Sequence, residues 1–164
     1  MNWLLVVKFL HILAVTITIG GMFARQLVRV MARKSENVQA LAALTRTAVR
    51  IDRAMVIPWS NAMILVGILL AVLQKWPIFG FLQGAPQNWL LTANILILIL
   101  LATIFSVFVP HNKTVENQLQ AALAEGRVTP DLTAALDDQK NRWGHYLEEA
   151  IVLIVAALMV LKPF

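Results

Sequence analysis

No cysteine occurs in the 164 residues, which excludes disulfides, thiolate zinc sites, iron–sulfur clusters and thiol catalysis. Charge is scarce as well. Asp, Glu, Lys and Arg together make up 14% of the chain, against about 25% in a soluble domain. The first apolar stretch lacks a basic leader, runs too long and is followed by no small-x-small site, so it reads as a membrane span rather than a cleavable signal. There is no Met-x-x-Met cluster to suggest a copper path, no metal-ligand spacing, no internal repeat and no low-complexity tract. Apolar residues fill the chain instead, at 59%.

Four apolar stretches approach the length of a bilayer crossing, at roughly 4–23, 55–73, 90–109 and 146–161. A hydrocarbon core of ~30 Å takes about 20 helical residues. The expected fold is all-α: one four-span transmembrane bundle over residues 1–164, with the lipid bilayer as its solvent.

The net charge of +5 might point to nucleic acid in a soluble protein, but here the basic residues sort by loop. Eleven of the 14 fall in Arg25–Arg53 and Lys113–Arg142. Positive loops stay in the cytoplasm. The expected topology is therefore a bacterial inner-membrane protein with both termini periplasmic and no nucleic-acid partner. It puts Trp3, Trp76 and Trp89 at the outer interface and Trp59 and Trp143 at the inner one.

Span one should continue as a helix to Lys34, with Arg25, Arg29 and Arg33 along one face that suits anionic headgroups. Ser35 is the expected N-cap of a helix over Glu36–Ile57, and Pro58 is expected to kink or restart it. Span three should end near Pro110, with a separate helix at Val115–Glu125 capped by Gly126. Thr129-Pro130 opens a helix that could run straight through Trp143 into span four.

Depth sorts the polar residues into two layers. His11 lies roughly 10–12 Å below the outer surface at ~1.5 Å per residue, level with Asn94, and Lys8 sits one turn above it. Arg25, Ser60, Asn61, Ser106, His111, His145, Glu148 and Glu149 form the inner layer. Ionisable groups inside a span usually face the bundle interior or water. Glu148 and Glu149 read either as interfacial carboxylates near a helix start or as partners of Arg25 or Arg53, and Asn61 as a buried polar group. His11 reads either as a packing histidine bonded to Asn94 or as a haem ligand or proton-handling group. His111 and His145 are close enough in depth to clamp a haem, with Arg25 or Arg53 meeting its propionates, or they are ordinary interfacial histidines. Gly20 and Ala24 form a small-xxx-small pair that would admit another helix, from the bundle or from a homo-oligomer.

Three stretches together carry a resemblance: Lys8-Phe-Leu-His-Ile-Leu with the pair Gly20-Gly21, the basic continuation from Arg25, and the closing Val160-Leu-Lys-Pro-Phe164. The whole chain resembles a bacterial family of predicted four-span integral membrane proteins with no assigned function. That family is distantly similar to the HemJ-type protoporphyrinogen oxidases and to the membrane domain of CopD copper-resistance proteins. The HemJ likeness implies b-type haem and a redox role in haem metabolism, and it transfers to Lys8, His11 and Gly21. Thr18 stands where HemJ proteins tend to carry tryptophan. Three expectations of function follow: a haem-binding redox protein, a non-enzymatic membrane partner or assembly factor working through cytoplasmic helices, and a small transporter or ion-handling component.

Overall fold

In the computed structural model, which describes residues 2–164, α1 runs unbroken over Trp3–Arg33, with the Asn2 side chain accepting from the Leu4 N–H at its start. The next helix begins later than Ser35 would set it. Asn37 is the N-cap, its Oδ1 accepting from the N–H groups of Gln39 and Ala40.

From Val38 to Leu73 the chain is one helix of 36 residues: α2 (Val38–Ile51), a π-helical turn at Asp52–Val56, and α3 (Ile57–Leu73). From Trp89 to Glu125 it is one of 37 residues: α4 (Trp89–Thr103), a π-helical turn at Ile104–Phe108, and α5 (Val109–Glu125). Span three therefore does not end at Pro110. A proline inside a helix lacks the N–H and clashes with the carbonyl four residues back. Both helices absorb this by widening. The Ile57 N–H bonds the Asp52 carbonyl, and the Val109 N–H bonds the Ile104 carbonyl, each reaching back five residues instead of four. In each case the turn closes two residues before the proline, Pro58 or Pro110.

α6 (Pro130–Leu136) is capped by the Thr129 hydroxyl, which accepts from the Leu132 N–H. It does not run on into span four. The chain breaks at Asp137, and Asp138 caps a new helix, α7 (Gln139–Leu161), by accepting from the Lys140 N–H. The break lets α6 fold back against α5.

Among the described residues there is no strand, and four helices are long and apolar enough to cross a membrane. α1 packs on α2 and α3, and α4 packs on α7. Three apolar layers stack along the bundle. At the end carrying the chain termini, Ala71, Trp89, Leu90, Ala93 and Leu158 form one. The middle layer is small: Met22, Val56 and Val152. At the basic end, Val38, Leu41, Ala42, Leu119, Ala122 and Leu132 build a head from α2, α5 and α6. Lipid supplies no hydrophobic drive between helices, so the middle depends on close approach and polar bonds. Gly21 supplies the close approach, since a Cβ there would sit 2.8 Å from the Met55 Cβ. Gly20 faces open space and takes no part in this packing.

The closing Lys-Pro-Phe has a structural task. The Phe164 main-chain oxygen accepts from the N–H groups of Asn88 and Trp89, at 3.0 Å each, and so caps α4. Lys162 places its Nζ 4.0 Å from the centre of the Trp76 ring, which meets Trp89 edge-on.

Candidate functional site

Below the middle layer, five polar side chains meet. Arg25 of α1 donates to Asp52 at 2.8 Å and to Glu148 of α7 at 2.5 Å. Arg29, one turn on, reaches Asp52 at 3.3 Å and bonds His145 Nε2. His145 Nδ1 lies 2.9 Å from Glu148 Oε2. A carboxylate accepts only, so Nδ1 carries the proton, and Nε2 accepts from Arg29. Phe108 stacks on the imidazole at 4.2 Å and 16°. Gly144 makes that stacking possible, because a Cβ there would sit 2.8 Å from Phe108 Cε1. All four membrane helices contribute, and both π-helical turns do: Asp52 opens one and Phe108 closes the other.

The charges cancel, two guanidinium groups against two carboxylates. Three members are deeply buried, Arg25 at 4% exposed, Glu148 at 5% and His145 at 2%, while the Arg29 and Asp52 side chains keep 18% and 17% of their surface exposed. Isolated charges so buried would be prohibitively costly, and pairing is what allows them. The headgroup-facing role expected for Arg25 and Arg29 is thus corrected, because both turn inward.

The Arg25–Glu148 pair fixes the register of α1 against α7 and so sets depth. Trp143, exposed, lies five residues toward the basic end from Glu148, level with Val30 of α1. Trp3, also exposed, lies at the opposite end of α1. From Trp3 to Val30 a helix rises about 40 Å, the thickness of a bilayer with its headgroup layers. The helix of span one continues well past Phe23, and the cluster sits about 7 Å from the Trp143 level on the Trp3 side. Trp59 lies seven residues beyond Asp52 toward the terminal end, well away from the Trp143 level.

Several other expected site residues are placed differently. His145 and His111 take separate partners. Both nitrogens of His145 are engaged, and His111 Nδ1 turns to Asp138 at 3.3 Å. His11 is seated on α3, where a Cβ at Gly67 would come within 3.0 Å of its Cε1. Its Nδ1 is buried without a partner. Asn94 does not bond it, since its amide donates to the Ile78 carbonyl at 3.1 Å. Lys8 is partly buried, one turn from His11. Asn61 is exposed, not buried, because α3 turns a different face to α1. Arg53 is exposed as well. Glu149 points to a small apolar crevice of about 10 Å³ between α1 and α7, with Oε1 unpartnered. Among the described residues no group of three or more His, Asp or Glu could hold a metal ion.

Asp52 and Phe108 are the cluster members that the sequence reading passes over. A signal for Asp52 existed: an acid in a strongly basic segment, six residues before a proline within a span. Phe108 bore no such mark, because its role follows from the π-helical turn that aims it.

A second polar group lies nearer the basic end. An open cleft of about 370 Å³ is bordered by Val107, Pro110 and His111 on one side and Ala135, Asp138 and Lys140 on the other.

A family model described as a predicted integral membrane protein matches residues 5–163. No curated protein and no solved structure matches.

Proposed function

The chain belongs to that family, DUF2269, of predicted integral membrane proteins, and we propose that it serves as a non-enzymatic partner or assembly factor of the bacterial inner membrane. In this reading both termini are periplasmic and the head of α2, α5 and α6 works in the cytoplasm. The observation that carries it is the head's own core. Leu119, Ala122 and Leu132 are each 0% exposed, in segments that need only have linked one span to the next. Connections between helices of a bundle usually take a few residues. A packed head is what a protein builds to present a fixed surface.

The buried cluster fits the same reading. Each charged group that converges there meets one of opposite sign, although Arg25 Nε is left without a partner, so the cluster holds the four helices in one arrangement and engages both nitrogens of His145. His11 is the imidazole that keeps a buried unpartnered nitrogen, so it marks where the competing haem reading would have to act.

A photoreactive residue at the exposed head position Asn117, tested in living cells, separates these readings. The expected result is one discrete adduct with another protein from Asn117 and none from Phe81 at the opposite end, with purified protein that shows no Soret band. A Soret band that disappears in His11→Ala, together with no adduct from the head, would overturn this reading in favour of a haem protein.

A further inference from the structure

The cleft between α5 and the bend joining α6 to α7 lies apart from the buried cluster and has a polarity gradient of its own. Phe108 stacks on His145, which sets the register of this helix against α7. His111, three residues on, then falls level with the turn that holds Trp143. The lining residues of the first helix run from Ser106 to Thr114, about 12 Å of rise. The cleft thus straddles the membrane interface at the basic end. Its membrane side carries Val107, Pro110 and Ser106, whose hydroxyl is spent on the Ala102 carbonyl, and its water side carries His111, Asp138 and Lys140. A volume of about 370 Å³ lies within the range of roughly 300–1,000 Å³ seen for small-molecule sites.

The charges specify more than an anion. The Asp138 carboxylate accepts from the Lys140 N–H at 2.8 Å and pairs with His111 Nδ1 at 3.3 Å. These bonds fix its orientation, yet its side chain stays 40% exposed, so it can accept further from a ligand. Lys140, exposed on the same rim, offers a positive charge. A site with a fixed carboxylate beside an ammonium matches a ligand with the opposite pair, a primary ammonium and a phosphate. An anionic headgroup without an ammonium would meet Asp138 unfavourably. A quaternary ammonium has no N–H to donate. The Val107 and Pro110 surface at the upper end suits the glycerol and first acyl carbons of a lipid.

We propose that this cleft binds the headgroup of an ammonium-bearing phospholipid, of the phosphatidylethanolamine type, from the leaflet at the basic end. The ammonium donates to Asp138, and the phosphate meets Lys140. This goes beyond the partner reading and stands without it.

The test is native mass spectrometry of the full-length protein released from detergent, with phosphatidylethanolamine, phosphatidylcholine and phosphatidylglycerol of identical acyl chains at equal concentration. One charge-assisted hydrogen bond gained implies about tenfold greater retention of the ethanolamine lipid than of the other two. In Asp138→Asn the helix cap is preserved, because asparagine caps as well as aspartate, and the three lipids should be retained equally. Ala135→Trp should fill the cleft and remove the preferred adduct, with thermal unfolding unchanged in both variants. Equal retention of the three lipids by the unmodified protein, or a preference that survives Asp138→Asn, overturns the proposal. Binding of soluble phosphoethanolamine in place of the lipid would assign the cleft to a free metabolite and overturn the lipid assignment.

Discussion

Glu148 and Arg25 meet at 2.5 Å although 123 positions separate them, and each also serves a second partner within the cluster. Arg25 holds Asp52, and Glu148 accepts from His145. Removing one member therefore leaves a charge inside the membrane with its balance lost. Glu148→Gln is expected to destabilise the bundle by about 3 kcal/mol. Replacing both Arg25 and Glu148 with methionine should recover part of that loss, since Asp52 keeps Arg29. Unfolding in mixed detergent micelles, followed by tryptophan fluorescence, gives both values. Single variants within experimental error of the parent would show that the cluster contributes nothing to the fold.

A second prediction concerns His11 and Gly67. A methyl at Gly67 would press to 3.0 Å from the imidazole Cε1, and overpacking of this kind costs about 1–3 kcal/mol. Gly67→Ala should destabilise, and adding His11→Ala should remove most of that penalty. Gly20→Ala is the matched control, since nothing lies within 4 Å of the added carbon. Additive effects of Gly67→Ala and His11→Ala would mean that the two residues do not touch.

Depth gives the third. Leu27 is 63% exposed and lies on the membrane side of the Trp143 level, whereas Lys34 lies beyond it. In inverted vesicles a membrane-impermeant maleimide should label Lys34→Cys and leave Leu27→Cys unmodified. Equal labelling of both would place the membrane boundary near Phe23 and the charged cluster in water.

The four helices were legible because run length and loop charge are one-dimensional quantities. So were the caps at Gly126 and Thr129, where the residue types state their own task. The breaks were less so. Pro58 and Pro110 each signal a disturbed helix, but whether a helix kinks, stops or widens depends on what packs beside it. The charged cluster was half legible. Depth and charge bring a span-four glutamate within reach of Arg25 or Arg53, or leave it at the interface, and the bundle pairs Glu148 with Arg25. Arg29 could not be placed that way, because it shares with Arg33 a face that suits headgroups, whereas the bundle turns Arg25 and Arg29 inward. His11 and Asn94 share a depth but bond elsewhere, since equal depth says nothing about which way a helix is rotated.

The last prediction is the topology on which the cytoplasmic head depends. Eleven of 14 basic residues lie at one end of the bundle, and loops rich in Lys and Arg are retained in the cytoplasm. Two of them, Arg25 and Arg29, are committed to the buried cluster, which leaves nine to act as the topological signal, still well above the three elsewhere in the chain. The chain has no cysteine of its own, so single cysteines report cleanly. Gln83→Cys, exposed beside the short helical turn Gly80–Gln83, should react with an impermeant reagent in intact spheroplasts. Asn117→Cys, exposed on α5, should react only after the membrane is opened. The reverse pattern would place the head in the periplasm and remove the basis for a cytoplasmic partner.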